Sequence, residues 1–478
     1  MTQTAVAPAP AQEDGAEAII NSLIANARTA MDIFEAADQA AADEAVTALA
    51  WAIYEPARAK ELAEVAVADT GLGNVESKIT KNTRKTFGCL RDLMRVKSVG
   101  IIEELPEKGL VKYAKPVGVV AAVAPSTNPA ATPVNKAMMA VKGRNAVIVA
   151  PSPAGLSTTT KTVNYMRAEL KKVGAPEDLV QVLPSPVNKA LTQELMNQAD
   201  LVVVTGSQNN VKRAYSSGTP AIGVGAGNVP VIIDTTADLA DAANKIMMSK
   251  CFDNSTSCSS ENSITILDAV YDDAIQALKD AGGYLCTPED KKKIEETLWV
   301  DGHLNRHVIA KDPDVFAETC GLPEEAKSAK FFMVEDENAA GKDHPFSDEK
   351  LSLALTVYRA TDFAAAKAHV QNVLDFVGMG HSVGIHTKDT DHARELAEEL
   401  RVVRVLVNQA HTFGNGGSFD NGLSFTLSMG CGTWAGNSIT ENLNYKNFLN
   451  ITHLVTTIPE DKPSEDALFG AYWGKHGK

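Results

Sequence analysis

Strands and helices alternate along most of this chain, which predicts an α/β protein built from open parallel sheets covered on both sides. Three observations carry the prediction. The segment Val117-Gly118-Val119-Val120-Ala121-Ala122-Val123-Ala124 is an almost continuous apolar run bounded by Pro116 and Pro125, as expected of a strand buried on both faces. Runs of the same kind recur at 145–150, 179–183 and 201–205, separated by segments with helical spacing. Finally, 478 residues exceed the roughly 100 to 200 of a typical domain, and the pattern restarts beyond Pro230, so two such sheets are expected.

In chain order, residues 1–15 are rich in alanine and proline and carry Glu13 and Asp14 where an export signal would be basic and then apolar. A short disordered tail and a cytoplasmic protein are expected. Residues 17–90 read as helical, with Leu23, Ala27, Ala30, Ile33 and Phe34 at helical spacing and few breakers before Thr70-Gly71-Leu72-Gly73-Asn74. Helices are expected at 133–142, 157–173 and 189–198, between the apolar strands, and another begins at Gln208. Beyond Pro230 the order is a strand at 231–233, a helix at 237–250, a polar loop, a strand at 263–267 and a helix at 271–280, with alternation continuing to Val405.

Composition narrows the function. With 44% hydrophobic and 22% charged residues the chain can bury large cores. A net charge of −15 and a pI near 5.2 argue against nucleic acid, which requires a basic face. No stretch of 18 uncharged apolar residues is present, so no membrane span is expected. The local basic cluster Lys81-Asn82-Thr83-Arg84-Lys85 could serve a small anion. The six cysteines are scattered without a C-x-x-C pair, which supports neither a disulfide framework nor a zinc ribbon and fits the reducing cytosol. His303 and His307 have the spacing of two ligands on a helix, but no Glu follows the first and no helix is evident, so no metal site is expected.

Four segments carry chemistry. Cys258 sits in the loop Cys251-Phe252-Asp253-Asn254-Ser255-Thr256-Ser257-Cys258-Ser259-Ser260, between a helix whose apolar face is Leu239, Ala242, Ala243, Ile246 and Met247 and a strand. A thiol in such a loop can be reached by substrate, and Cys258 is the candidate nucleophile. After the apolar run 201–205, Gly206 and Ser207 open a helix whose free N–H groups suit a phosphate. Gly223-Val224-Gly225-Ala226-Gly227-Asn228-Val229-Pro230 looks like a dinucleotide fingerprint, but a strand follows where a helix is needed. It is expected instead to line the catalytic loop with closely packed backbone. His381 follows the glycine turn Gly378-Met379-Gly380 and opens a strand, a position suited to a base.

Taken together, Pro125-Ser126-Thr127-Asn128-Pro129, Thr205-Gly206-Ser207, the Cys258 loop, Glu349-Lys350-Leu351-Ser352, Gly380-His381 and Gly430-Cys431-Gly432-Thr433-Trp434-Ala435-Gly436-Asn437-Ser438 resemble the aldehyde dehydrogenase superfamily, and within it the coenzyme A-acylating branch. The resemblance spans residues 16–454. It implies a nucleotide-binding domain at 16–230, a catalytic domain at 231–437 and an oligomerisation arm from 101–116 and 438–478, in a homodimer or homotetramer. It further implies that Cys258 attacks the aldehyde, that Asn128 and the backbone N–H of Cys258 hold the oxyanion, and that hydride passes to a nicotinamide. NAD or NADP would be held by Pro125, Ser152, Thr205, Gly206, Ser207 and Glu349. Hydrolytic relatives carry a glutamate in a Glu-Leu-Gly-Gly segment; here that segment reads Gly223-Val224-Gly225-Ala226, so the thioester is expected to wait for coenzyme A, with His381 as base. The lysine that many hydrolytic members use for the adenosine ribose is missing from Ala150-Pro151-Ser152, which leaves NAD and NADP open. No iron-dependent alcohol dehydrogenase half follows, so interconversion of aldehyde and acyl-CoA without alcohol formation is expected.

Narrower resemblance lies in Trp51-Ala52-Ile53-Tyr54-Glu55-Pro56, Asn408-Gln409-Ala410-His411, Gly417-Ser418-Phe419-Asp420-Asn421-Gly422-Leu423 and the segment Leu468-Phe469-Gly470-Ala471-Tyr472-Trp473-Gly474-Lys475. These look similar to the acylating sulfoacetaldehyde dehydrogenases. Acetaldehyde, propionaldehyde and succinic semialdehyde stand as alternative substrates. An anionic substrate requires a cation or a helix N-terminus near Cys258, which the sequence does not place.

Overall fold

A computed structural model describes residues 13–478. The helical N-terminal region consists of α1 (Glu13–Phe34), α2 (Gln39–Tyr54), α3 (Pro56–Thr70) and α4 (Val75–Thr80), then a π-helical turn, Lys81–Lys85, that runs into α5 (Thr86–Met94). The expected tail at 1–15 falls mostly outside the described residues, but Glu13, Asp14 and Gly15 already belong to α1. Strands β1 (Gly100–Leu105) and β2 (Leu110–Pro116) form an antiparallel hairpin.

The first parallel sheet follows: β3 (Val119–Val123), α6 (Ala131–Lys142), β4 (Ala146–Ala150), α7 (Leu156–Lys172), β5 (Val180–Val182), α8 (Lys189–Gln198), β6 (Leu201–Val204), α9 (Gln208–Tyr215) and β7 (Ala221–Gly223). Its order is β5-β4-β3-β6-β7 with every pair parallel. Every residue of β3 and β4 is buried, which explains their unbroken apolar sequence. The chain winds from β3 outward to β5, then returns to β6 on the other side, so the winding reverses between β3 and β6.

The second parallel sheet begins with β8 (Val229–Ile233), α10 (Leu239–Cys251), β9 (Glu261–Leu267), α11 (Tyr271–Asp280) and β10 (Gly283–Leu285). Then come α12 (Pro288–Leu298), the small hairpin β11 (Trp299–Val300) and β12 (His303–Leu304), and α13 (Pro313–Thr319). The unit closes with β13 (Phe331–Glu335), β14 (Ala354–Ala360), α14 (Phe363–Phe376), β15 (Val383–His386), α15 (Thr390–Glu399), β16 (Val405–Val407) and the short α16 (His411–Gly414). Its seven strands, also all parallel, run β10-β13-β14-β9-β8-β15-β16. The change of sheet falls between Gly223 and Val229, where the glycine-rich segment crosses.

Two features depart from a simple two-part division. Phe425, Leu443 and Phe448 pack into the core of the first sheet, so the chain returns to that unit before residue 437. β17 (Leu449–Val455) then pairs antiparallel with β2 along its whole length, and α17 (Glu465–His476) follows with no buried residue. Sequence patterning does not reveal this pairing, because the partners Pro116 and Leu449 lie far apart along the chain. Among the described residues no helix is long and apolar enough to cross a membrane.

Candidate active site

Cys258 leaves the end of α10 through a tight turn in which Asp253, Asn254 and Ser255 take φ of 51°, 51° and 62°. Asp and Asn are among the residues best suited to this left-handed region. Ser255 Oγ donates to Lys250 O at 2.6 Å and pairs with Ser260 Oγ at 3.0 Å, which ties the loop across its base. On the other side, the segment before β8 presses its backbone on the cysteine: a Cβ at Gly227 would lie 2.4 Å from Cys258 Cβ and 2.2 Å from its carbonyl oxygen. The glycine-rich segment therefore lines the Cys258 loop as its sequence suggested. The position against the thiol is Gly227, not Gly223, whose Cβ would meet Val211 and Tyr215 instead.

The half-buried Cys258 lines a small cavity with Gly227, Lys250, Asn262, Glu349 and Leu351. Burial, then the charge of Glu349 and Cys431, pushes its thiol up to about 12, against opposing effects from Ser259 and Arg404. The thiol is protonated at neutral pH. Glu349 is itself pushed up to about 8, by burial and then by Asp348, with Lys350 and Lys250 opposing. Of the remaining cysteines, Cys251 donates to Lys330 O at 3.4 Å and Cys431 is buried beneath Gly225 and Gly380. All six are unpaired.

Asn128 lies on the loop after β3 and lines a second cavity, with Lys78, Lys81, Asn82 and Thr127. The two cavities have separate linings. They are joined through Thr256, whose Oγ1 accepts from Lys81 Nζ at 2.8 Å.

His381 is buried and outside the cavity of Cys258. Its glycine turn is sterically required: a Cβ at Gly380, where φ is 81°, would stand 2.1 Å from Cys431 O. His381 Nδ1 and Ser382 Oγ are 2.7 Å apart, Ser382 Oγ and His411 Nε2 2.8 Å, and His381 Nε2 has no partner. Burial, reinforced by Arg404, pushes the imidazole down to about 3, so it is neutral. The Arg404 guanidinium donates to His381 O at 3.0 Å, to Gly430 O at 2.5 Å and to Asn442 Oδ1 at 3.1 Å, binding the Gly380 turn to the Gly430 segment.

The residues expected to hold a dinucleotide converge at the carboxyl ends of adjacent strands: Pro125 after β3, Ser152 after β4 and Thr205 after β6. This is where open parallel sheets bind ligands, at the point where winding reverses. A Cβ at Gly206, where φ is 152°, would lie 3.9 Å from Pro125 Cβ, and Thr205 Oγ1 and Ser428 Oγ are 2.5 Å apart. Ser207 caps α9 through Asn210 N at 3.4 Å, and Ser152 Oγ accepts from Gly155 N at 3.2 Å.

Sequence reasoning missed several members of this architecture. Lys136 is completely buried and donates to Val123 O at 2.7 Å and Val203 O at 3.0 Å, bridging β3 and β6 beneath the crevice. Asp253, Glu261, Arg404 and His411 were also missed. A lysine on a helix reads as solvent-facing, and only its neighbours in space show otherwise. The Asp253-Asn254 dipeptide, in a loop that leads to the candidate nucleophile, was the one local signal available.

Comparison with known proteins gives the family of this chain. The aldehyde dehydrogenase family model matches residues 3–291. The chain is 51% identical over 475 residues to an acylating sulfoacetaldehyde dehydrogenase of Cupriavidus necator, covering 99% of this chain and 96% of that one. It is 45% identical to the corresponding enzyme of Bilophila wadsworthia, over 95% of this chain and 98% of the relative. The crystal structure of an acetylating aldehyde dehydrogenase from Geobacillus thermoglucosidasius superposes with a TM-score of 0.90 at 34% identity, covering 95% and 99% of the two chains. The chain belongs to the aldehyde dehydrogenase family, among its acylating members.

Proposed function

We propose that this enzyme oxidises sulfoacetaldehyde with NAD(P)+ and coenzyme A to sulfoacetyl-coenzyme A and NAD(P)H. The observation that carries the acylating chemistry is the backbone of Gly227 pressed against Cys258, on a crossing segment, 223–230, without a carboxylate. That segment offers no base to activate water, and Glu349, which lines the cavity of Cys258, is taken up by the nucleotide in this reading, so a thioester on Cys258 persists until a thiol arrives. The substrate is supported by the relatives named above, which carry sulfoacetaldehyde in their names.

In this reading Cys258, once deprotonated, adds to the aldehyde carbon. The amide of Asn128 and the N–H of Cys258 hold the resulting oxyanion. The nicotinamide, when bound, supplies the hydride acceptor that turns the thiohemiacetal into a thioester. Pro125, Ser152, Thr205, Gly206 and Ser207 bind the nucleotide along the β3–β6 crevice, and Glu349 its nicotinamide ribose. Residues 16–230, joined by the returning segment of Phe425, Leu443 and Phe448, thus form the nucleotide-binding domain, and the rest of 231–437 the catalytic domain. Coenzyme A displaces Cys258 from the acyl group, and the released thiolate can begin another cycle. His381 accepts the coenzyme A proton at Nε2, the nitrogen left free when Nδ1 donates to Ser382.

Rates of nicotinamide reduction with and without coenzyme A test the proposal. Reduction that requires coenzyme A for sustained turnover, with acyl-coenzyme A as product, is expected. Full-rate release of free acid without coenzyme A would place the chain with the hydrolytic members. For His381→Ala, acyl transfer should slow by about 10²- to 10⁴-fold, the usual contribution of a positioned base. Stopped-flow records should then show a burst of NAD(P)H followed by slow turnover; loss of the burst itself would move His381 to the first half-reaction.

The exposed apolar residues of β17, Ile451, Leu454 and Val455, and of α17, Leu468, Phe469 and Tyr472, support an arm that packs on another copy, giving a homodimer or homotetramer. Six unpaired cysteines support a cytoplasmic location.

A further inference from the structure

Lys78, Lys81, Arg84 and Lys85 form a basic stretch in a chain of net charge −15. They follow one another through the end of α4 and the π-helical turn, a distortion frequent at functional sites. Arg84 and Lys85 are committed to one loop, through Ser418 Oγ at 2.9 Å and Gly416 O at 2.9 Å. Lys78 and Lys81 differ. Both Nζ atoms reach the same carboxylate oxygen, Asp253 Oδ2, at 3.0 and 2.5 Å, and all three side chains are buried. Two cations against one anion leave a positive charge without a counter-charge, where water screens poorly.

The donor count is also incomplete. An ammonium carries three N–H groups. Lys78 gives one to Asp253 and one to Thr127 O at 3.1 Å; Lys81 gives one to Asp253 and one to Thr256 Oγ1. Each keeps one in reserve, and both line the cavity that contains Asn128. Asp253 cannot turn away with its lysines, because Asn74 N at 2.9 Å and Thr256 Oγ1 at 2.7 Å hold it. Thr256 stands two residues before Cys258, so the surplus cation is coupled to the nucleophile's own loop.

We propose that Lys78 and Lys81 form the subsite for the sulfonate of the substrate, and so set the enzyme's preference for an anionic aldehyde. The inference rests on the substrate reading above. In sulfoacetaldehyde a single methylene separates the carbonyl carbon from the sulfonate, so the anion must bind close to the group that takes the oxyanion. A sulfonate is ionised at every pH at which the enzyme works, and its three oxygens can accept from two ammonium groups at once.

Two measurements test the subsite. Lys81→Met and Lys78→Met are assayed with sulfoacetaldehyde and with propionaldehyde. The ratio of the two kcat/KM values should fall by about 10- to 100-fold, the range for loss of a charge-assisted hydrogen bond. Equal losses on both substrates, with the ratio unmoved, would mean the lysines act only structurally and would overturn the inference. The second measurement needs no variant. With the wild type turning over propionaldehyde, ethanesulfonate should compete with the aldehyde at a concentration about tenfold below that needed for ethanesulfonamide, its uncharged isostere; equal potency would overturn the subsite. Selective inhibition by ethanesulfonate in an enzyme that does not use sulfoacetaldehyde would sink the substrate reading alone.

Discussion

Cys258→Ala is expected to abolish acyl-coenzyme A formation, by about 10⁴-fold or more, while nucleotide binding persists. No other thiol can substitute. Cys431 is sealed under Gly225 and Gly380, and Cys251 is turned to the Lys330 carbonyl. Cys89, Cys286 and Cys320 belong to hydrophobic cores. Alanine leaves the Gly227 contact intact because that contact is with the backbone and Cβ of residue 258, which alanine keeps. Thioester formation followed by mass spectrometry, with NAD(P)H binding followed by fluorescence, separates the two outcomes. Turnover near the wild-type rate would remove Cys258 from the mechanism. Because burial pushes the resting thiol up to about 12, alkylation by iodoacetamide should be slow at neutral pH and accelerate as pH rises.

Asp253→Ala should have the largest effect on stability. It would leave Lys78 and Lys81 facing each other, buried and uncompensated, which typically costs about 3 to 5 kcal/mol. It would also free a loop whose three residues in left-handed conformation are held in part by this carboxylate. Chemical denaturation should show the loss, together with reduced activity from the displaced Cys258 loop; a midpoint like the wild type's would show that the pairs contribute nothing. Burial acts to raise the Asp253 carboxyl, but Lys81 and Lys78 outweigh it and hold the group below the ordinary carboxylate range. Its folded-state pKa is therefore depressed. The stabilisation is present above the unfolded carboxylate value and is lost as pH falls through the folded one. The variant should lack that part of the wild type's acid sensitivity.

Much of this enzyme could be read along the chain. The apolar runs of β3, β4 and β6, the helix faces and the polar loop of Cys258 are local patterns, and a strand buried on both faces, or a helix buried on one, must show them. The crossing segment 223–230 was legible as packed backbone for the same reason: glycines at that density allow nothing else. The residue against the thiol was not. Gly223 and Gly227 are alike in sequence, and only the start of β8 at Val229 decides that the latter meets Cys258.

The sequence by itself determined the fold class, the alternation of the elements and the family, and it singled out Cys258 as the candidate nucleophile. The tertiary structure alone decided how distant charges combine. Lys81 and Asp253 stand 172 residues apart, and neither looks unusual where it occurs. Likewise the basic cluster at 81–85 suggested a small anion, but which of its cations are already committed depends on residues 416–418 and 253–256. Hydrophobic periodicity is written in neighbours along the chain, whereas electrostatic balance is a sum over neighbours in space.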